Sequence, residues 1–322
     1  MEAFYTIGAA PMEPLAPLED LPLPALLETL VPTVDLAGVV GRALREDLGA
    51  SGDVTSATMI APASACHAVV RTRAAGVVCG VPVALETLRQ AAPQLRITQH
   101  MQDGERAEPG ATILSMHGPQ QQVLAAERTL LNFLGMLSGV ATLTAQYVAA
   151  VQGTRAVICA TRKTTPGLRA LQKYAVRCGG GNLHRMGLYD AMLVKDNHVA
   201  GLGPAEMAAA AARAAAEARQ RWPLRFVMVE CDTMEQFQSL LGLPASAVDI
   251  ALLDNMTTEQ LAEAVNLRDH LGSPVRIEAS GGVNLQTVRQ IAATGVDRIS
   301  VGALTHSAPS LDVGLDLELA DA

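Results

Sequence analysis

Asp249-Ile250-Ala251-Leu252-Leu253-Asp254-Asn255 is the stretch on which the fold turns. Its apolar residues run without a polar gap, as in a strand buried on both faces, and the run stops at an acid and an amide. The pattern recurs on either side. Ala156–Ala160 leads into Thr161-Arg162-Lys163, Ala191–Val194 into Lys195-Asp196-Asn197-His198, and Phe226–Val229 into Glu230. Downstream, Val275–Ala279 passes through Glu278 into Ser280-Gly281-Gly282, and Arg298–Val301 leads to Gly302. Helical patterns at Pro204–Arg221, Thr233–Leu241, Thr257–Leu271 and Leu285–Thr294 separate most of these segments. Strand–helix alternation over this length predicts a parallel sheet with crossover helices, an α/β fold. A barrel of parallel strands gathers its carboxyl ends on one face, where such barrels keep their active sites. An open doubly wound sheet would gather ligands there too. No GxGxxG follows the first strand and no GxxxxGK[ST] occurs anywhere, so the barrel is the expectation.

The upstream half reads differently. Ala25 to Arg45 has the apolar spacing of amphipathic helices. Ala68–Arg73, Val77–Val83 and Ile113–Met116 read as strands, and Ala84–Ala91 as a helix. Turn signals at Asp103-Gly104-Glu105 and Glu108-Pro109-Gly110 flank short extended pieces. From Gln120 to Val151 the apolar positions recur at helical spacing, predicting one or two long helices. The Pro-rich start, Met1 to Glu19, lacks a cationic n-region and reads as a poorly ordered tail, not a signal peptide.

Composition narrows the function. The 322 residues carry 24 Lys+Arg against 32 Asp+Glu, a net charge of −8, with 3% aromatics. This balance lacks the basic footprint of a nucleic-acid binder, and an anionic ligand would have to be held by local cations against the overall field. Five cysteines, Cys66, Cys79, Cys159, Cys178 and Cys231, form no CxxC pair or zinc spacing, which suits a reducing cytoplasm. No apolar run is read as a membrane span.

The strand ends sort into two camps. Arg162, Lys163, Arg169, Arg185 and Lys195 are cationic, joined by His184 and His198, while Glu230, Asp254 and Glu278 are anionic. Four or five converging cations suit a ligand with several negative charges, Arg giving bidentate and Lys point-charge recognition. Carboxylates in the same mouth can hold Mg²⁺ together with phosphate oxygens. Ser280-Gly281-Gly282 and Gly302 offer backbone amides for a phosphate after the last strands, although a plain turn is an equal reading of the two glycines alone. Gly179-Gly180-Gly181 lies between cationic groups and is read as a place where backbone approaches a ligand. Cys178 beside it is a minor candidate nucleophile. Tyr174 and Trp222 are expected to pack, and Met186 and Met192 to lie in the core.

At these residues a family resemblance enters. Thr161-Arg162-Lys163-Thr164-Thr165-Pro166-Gly167-Leu168-Arg169 resembles the signature of the quinolinate phosphoribosyltransferases, also called nicotinate-nucleotide pyrophosphorylases (carboxylating). So do Lys173-Tyr174-Ala175-Val176, Gly179-Gly180-Gly181 with His184-Arg185, and Leu193-Val194-Lys195-Asp196-Asn197-His198. Val229-Glu230, Leu252 to Met256 and Glu278 to Gly282 follow in order, with Glu127 to Asn132 and Gly52 to Thr55 upstream. One departure is that Asn182 and Leu183 precede His184, so the Asn stands one place early.

The resemblance implies an N-terminal α/β sandwich followed by an incomplete α/β barrel. The expected boundaries are a disordered tail at 1–24, the sandwich at 25–135 with 305–322 packing back on it, and the barrel at 136–304. It also implies a homodimer or higher assembly in which Arg128 reaches the neighbouring subunit's site. Arg128, Arg162, Lys163, His184, Arg185 and Lys195 would hold quinolinate and nearby phosphates. Glu230 and Asp254 would face the ribose and the Mg²⁺–diphosphate, directly or through water. Ser280, Gly281, Gly282 and Gly302 would hold the 5′-phosphate of 5-phosphoribosyl 1-diphosphate, with His306 near. Lys163, Lys195, Glu230 and Asp254 are the expected catalytic set, in a cytoplasmic enzyme without nucleic-acid or membrane partners. Rival readings are a Schiff-base lyase or aldolase using Lys195 or Lys163, a paralogue of the same family with another ligand, and a non-catalytic binder.

Overall fold

The computed structural model describes residue 15 and residues 18–319. Most of the expected tail, residues 1–24, lies outside the described residues, but a 3₁₀ turn at Leu18–Asp20 and a helix from Leu23 fall inside it. The chain forms two compact units. One, here the parallel unit, comprises residues 15, 18–20, 147–162 and 182–303 of the described residues. The other, the antiparallel unit, comprises residues 21–146, 163–181 and 304–319.

The antiparallel unit opens with α1 (Leu23–Val34), α2 (Leu36–Leu48) and α3 (Val54–Met59). There follow β1 (Ala65–Thr72), β2 (Gly76–Val77), α4 (Val81–Ala91), β3 (Arg96–Gln99), β4 (Arg106–Ala107), β5 (Thr112–Pro119) and α5 (Gln120–Ala150), whose last turn passes into the parallel unit. Gly52-Asp53-Val54-Thr55, part of the family resemblance, proves to be a helix cap. The Asp53 carboxylate accepts from Ser56 N at 3.0 Å and from the Ser56 hydroxyl, satisfying donors at the start of α3. These bonds hold the Asp53 carboxyl below the usual carboxylate range.

Val77–Val83, expected as a strand, is extended only over Gly76–Val77, and α4 begins at Val81. The reason is distant in sequence. Asp103 Oδ1 accepts from Val81 N at 2.9 Å, and Pro82 in the first turn has no amide to lose there. Helix α5 is a single 31-residue helix, long and apolar enough to cross a bilayer, unlike the expectation from the sequence. Over half of its most apolar window is buried in the protein, with Leu130, Leu134 and Leu137 fully inside. Strand β12 (Val313–Leu319), absent from the sequence reading, pairs antiparallel with β1 from Cys66↔Leu319 to Thr72↔Val313, completing the sheet β12-β1-β5-β3. Its core is aliphatic, with Val70, Leu88, Ile113, Leu114 and Met116 buried.

The parallel unit holds β6 (Val157–Cys159), β7 (Met192–Val194), α7 (Pro204–Arg221), β8 (Val227–Cys231), α8 (Met234–Leu241) and β9 (Ile250–Asp254). It continues with α9 (Thr258–His270), β10 (Arg276–Ser280), α10 (Val288–Ala293) and β11 (Arg298–Ser300). Helix α6 (Arg169–Cys178), not foreseen as a helix, belongs to the antiparallel unit, and α11 (Ala303–His306) stands at the boundary. All six expected strands form, in the order β6-β11-β10-β9-β8-β7, every pair parallel. Strands β6 and β7 end the sheet without pairing to each other, so the barrel is incomplete. Thr233 with Gln236 and Thr257 with Gln260 form capping boxes that start α8 and α9 directly after the strand ends. Trp222 corrects an expectation: it is exposed, and the Arg221 guanidinium lies 4.4 Å over its ring. Tyr174 and Met186 are buried, and Met192 is half-buried.

Asp297 ties the last strands together. Its carboxylate accepts from Ile277 N at 2.7 Å, Arg268 Nη1 at 2.6 Å and Arg155 Nε at 3.0 Å. Burial pushes this carboxyl up, but the Ile277 amide and the two guanidiniums outweigh it and hold it below the usual value. A carboxyl whose folded pKa is depressed contributes stability above its unfolded pKa and loses it as pH falls through the folded one. Asp297→Asn is therefore expected to lower unfolding free energy by about 2 kcal/mol at pH 7. It should also flatten the fall in stability below about pH 4. Urea denaturation from pH 7 to 3 measures both; parallel curves for the two proteins would refute the linkage.

Candidate active site

Because the sheet is parallel, its carboxyl ends share one edge, and the register sets which residues meet there. Val194 is level with Val229, so Lys195 follows opposite Glu230, and the two side chains form a salt bridge. Lys195 is 45% exposed and Glu230 is buried, so the ammonium sits at the rim and the carboxylate below it. Asp254 is level with Ser280. Glu230, Asp232 and Asp254 bring carboxylate oxygens within 4.8 Å of one another, a set of hard oxygen donors. Asp232 was missed in the sequence; its signal was the second acid two residues beyond Glu230.

The cationic side is built from the end of β6 and the segment before β7. Asn182 donates to Ile158 O at 2.7 Å, and its carbonyl accepts from Ala160 N at 2.9 Å. The early Asn thus extends the edge of β6 through its backbone. Asp190, also missed, accepts from Met186 N and Gly187 N at 2.9 Å each and from Arg225 Nε at 3.2 Å, pinning the His184–Asp190 turn. Arg185 is buried. Burial and the Arg162 charge push its guanidinium pKa down, against the pull of Asp190. Arg162 Nε is buried and has no hydrogen-bond partner among the described residues. Two guanidiniums that repel each other at a strand end form a place whose charge an anion would balance.

Glu278, counted on sequence among the acids of the mouth, is fully buried and pairs with Arg298 Nε at 2.7 Å. Burial raises its carboxyl, yet the charge and hydrogen bond of Arg298 outweigh this and keep it below the usual value. Arg298 was overlooked, although a guanidinium opening an apolar strand is itself a sign of a buried partner. His184 is buried too. Its Nδ1 accepts from Arg185 N at 2.9 Å, and Nε2 lies 3.4 Å from Met228 Sδ and 3.6 Å from Glu278 Oε1.

The glycines at the other strand ends divide by purpose. Gly281 has φ +93°, and a Cβ there would stand 2.1 Å from Asn255 Oδ1. The β9 and β10 ends therefore interlock, with Asn255 N donating to Ser280 O at 2.9 Å. Gly282, at φ +60°, has open space where a Cβ would stand. Gly302 follows β11 on the same edge. The Gly179–Gly181 run is different. A Cβ on Gly179 would lie 2.3 Å from the Ala141 carbonyl, and one on Gly181 2.7 Å from Thr144 Cγ2. These glycines are required by close packing on α5, which replaces the expected ligand approach.

The antiparallel unit carries the other expected site residues. Arg128, on α5, has a side chain 66% exposed and lies 4.0 Å from Glu127. It lines a cavity of about 620 Å³ with Asn132, Ser310 and Asp312. Lys163 is exposed, and its carbonyl accepts from Thr305 Oγ1 at 2.7 Å. Gln172 braces the same segment, accepting from Thr165 N at 2.8 Å and donating to Thr305 O at 3.0 Å. Arg169 Nε donates to Thr164 Oγ1 at 3.1 Å. His306 ends α11, exposed, with Nδ1 2.6 Å from Ser307 Oγ. Cys178 is buried, its sulfur near Cys79 and Asp103, and all five cysteines are free. Burial pushes the Cys79 thiol well up.

Comparison with known proteins agrees with this arrangement. The N-terminal domain of the quinolinate phosphoribosyl transferases matches residues 53–138, and their C-terminal domain matches residues 140–316. The chain belongs to the quinolinate phosphoribosyl transferase family. It is 43% identical over 280 residues to the nicotinate-nucleotide pyrophosphorylase [carboxylating] of Mycobacterium leprae (strain TN), covering 86% of this chain and 95% of that one. A probable enzyme of the same name from Bacillus subtilis (strain 168) is 37% identical over 276 residues, 86% of this chain and 91% of the relative. Among solved structures, the nicotinate-nucleotide pyrophosphorylase of Francisella tularensis superposes with a TM-score of 0.80 at 33% identity, covering 94% of this chain and all of that one. That of Ehrlichia chaffeensis gives 0.79 at 36% identity, over 88% and 98%.

Proposed function

We propose that this family member transfers the phosphoribosyl group of 5-phosphoribosyl 1-diphosphate to quinolinate with loss of carbon dioxide, giving nicotinate mononucleotide and diphosphate for NAD synthesis. The observation that carries this reading is the sorting of one sheet edge, with Arg162 and Arg185 at one part and Glu230, Asp232 and Asp254 at another. A dicarboxylate suits the guanidiniums, and a ribosyl diphosphate with its metal suits the acids. In the reaction the ring nitrogen bonds to C1 of the ribose as the C1–oxygen bond to diphosphate breaks. The resulting pyridinium draws the electron pair of the adjacent carbon–carboxylate bond; carbon dioxide leaves, and that carbon takes a proton from solvent.

Arg162, Lys163, Arg185 and Lys195 would position the dicarboxylate and phosphates, with the buried His184 shaping that wall. Glu230 and Asp254 would face the positive charge developing at C1. Ser280, Gly281, Gly282 and Gly302 would line the 5′-phosphate, with His306 near. The three clustered carboxylates fit Mg²⁺ by donor type. Bound there, the ion would offset the charge of the departing diphosphate. The exposed Arg128 supports a homodimer in which it serves the neighbouring subunit's site. The five buried free cysteines support a reducing compartment, the cytoplasm.

A turnover assay with quinolinate, 5-phosphoribosyl 1-diphosphate and Mg²⁺, run beside nicotinate, tests the function. Mg²⁺-dependent product from quinolinate alone is expected. Product from nicotinate instead, or from neither, would overturn it, and borohydride trapping with a carbonyl substrate would then test Lys163 and Lys195 as Schiff-base lysines.

A further inference from the structure

We propose that Arg298 is a positioning residue for this transfer: it clamps Glu278 and the Leu183 carbonyl together inside the sheet and thereby fixes the His184–Arg185 pair at its edge. The inference rests on the reading of Arg185 as a quinolinate contact. Arg298 is 4% exposed and stands level with Glu278 in the parallel register of β10 and β11. Its Nε donates to Glu278 Oε2 at 2.7 Å, while Nη2 donates to Leu183 O at 3.2 Å. One guanidinium thus joins a strand to the residue preceding His184. A planar fork can make both bonds at once; an ammonium, a point donor, cannot reproduce the geometry.

The far side of the clamp is the imidazole. Since Nδ1 accepts from Arg185 N, the ring carries its proton on Nε2, which faces Met228 Sδ and Glu278 Oε1. Phe226 meets the ring at right angles, with centroids 5.3 Å apart. His184 is therefore held at both nitrogens and on one side, and the amide that it receives is that of Arg185. Without Arg298, the buried Glu278 carboxylate loses its counter-ion, and the Leu183 carbonyl loses a donor. Relief lies in rearrangement of the His184 ring or in protonation of Glu278. Rearrangement of the ring shifts Arg185, whose side chain is kept buried beside Arg162 and whose Nη1 reaches Ala191 O at 3.5 Å.

The clamp predicts an effect on one substrate. In Arg298→Gln, KM for quinolinate should rise about tenfold or more, while KM for 5-phosphoribosyl 1-diphosphate should change by less than about threefold. Arg298→Lys, which keeps a charge for Glu278, should recover part of the loss, and it carries the comparison if the Gln variant does not fold. ¹⁵N spectra of histidine-labelled protein give a readout independent of turnover. The wild-type His184 should show the Nε2–H tautomer, and the variants a shifted or mixed signal. An unchanged His184 signal would overturn the clamp, as would equal loss on both substrates in proportion to the folded fraction. If the wild type turns over no quinolinate, the functional reading fails, and the ¹⁵N result alone then decides the clamp.

Discussion

Lys163→Ala is expected to lower kcat/KM for the transfer about 100- to 1,000-fold, the usual cost of removing one charge-stabilising donor from a site. Its thermal midpoint should stay within about 2 °C of the parent. The two effects separate because different parts of the residue do different work. The segment is braced by the Lys163 carbonyl on Thr305 Oγ1 and by Gln172 on Thr165, bonds that alanine keeps. The side chain itself is exposed, so truncating it opens no cavity in the core. Steady-state kinetics with thermal unfolding checks this. Turnover like the parent's would remove Lys163 from the catalytic set, and a large drop in midpoint would make it a structural residue.

The second large effect is on stability. Gly281→Ala should cost about 3 kcal/mol, combining a left-handed backbone for a residue with a Cβ and overpacking against Asn255. The clash involves Asn255 N at 2.8 Å as well as its side chain, so rotating the amide away does not relieve it. Asn255 itself sits at φ +55° and donates through Nδ2 to Asp254 at 2.6 Å, so moving it also moves an acid of the site. Turnover should therefore fall along with stability. Gly282→Ala is the control: it has a similar backbone but open space, and should cost only about 1 kcal/mol. Equal denaturation midpoints for the two variants would show that the interlock contributes nothing.

The sequence by itself determined the parallel sheet and the chemistry of its edge. Strands buried on both faces must be apolar throughout, so a charge at the end of such a run is conspicuous, and Arg162, Lys195, Glu230 and Asp254 could be read there without any partner known. The helix starts after β8 and β9 were equally legible, because Thr233–Gln236 and Thr257–Gln260 are local devices. Only the tertiary structure decided what depends on residues far apart in the chain. Asp103 starts α4 where the apolar run suggested a strand, and the segment from the other end of the chain pairs with β1 as an antiparallel strand, in the register Cys66↔Leu319 to Thr72↔Val313. Gly179 and Gly181 looked like a ligand loop until Ala141 and Thr144 were seen against them. Glu278 looked like one more acid of the mouth until Arg298, twenty residues on, was found paired with it inside the sheet. Period and capping act over a few residues and leave their mark in sequence order. Close packing and buried ion pairs are settled by strand register, which brings together residues that no local pattern connects.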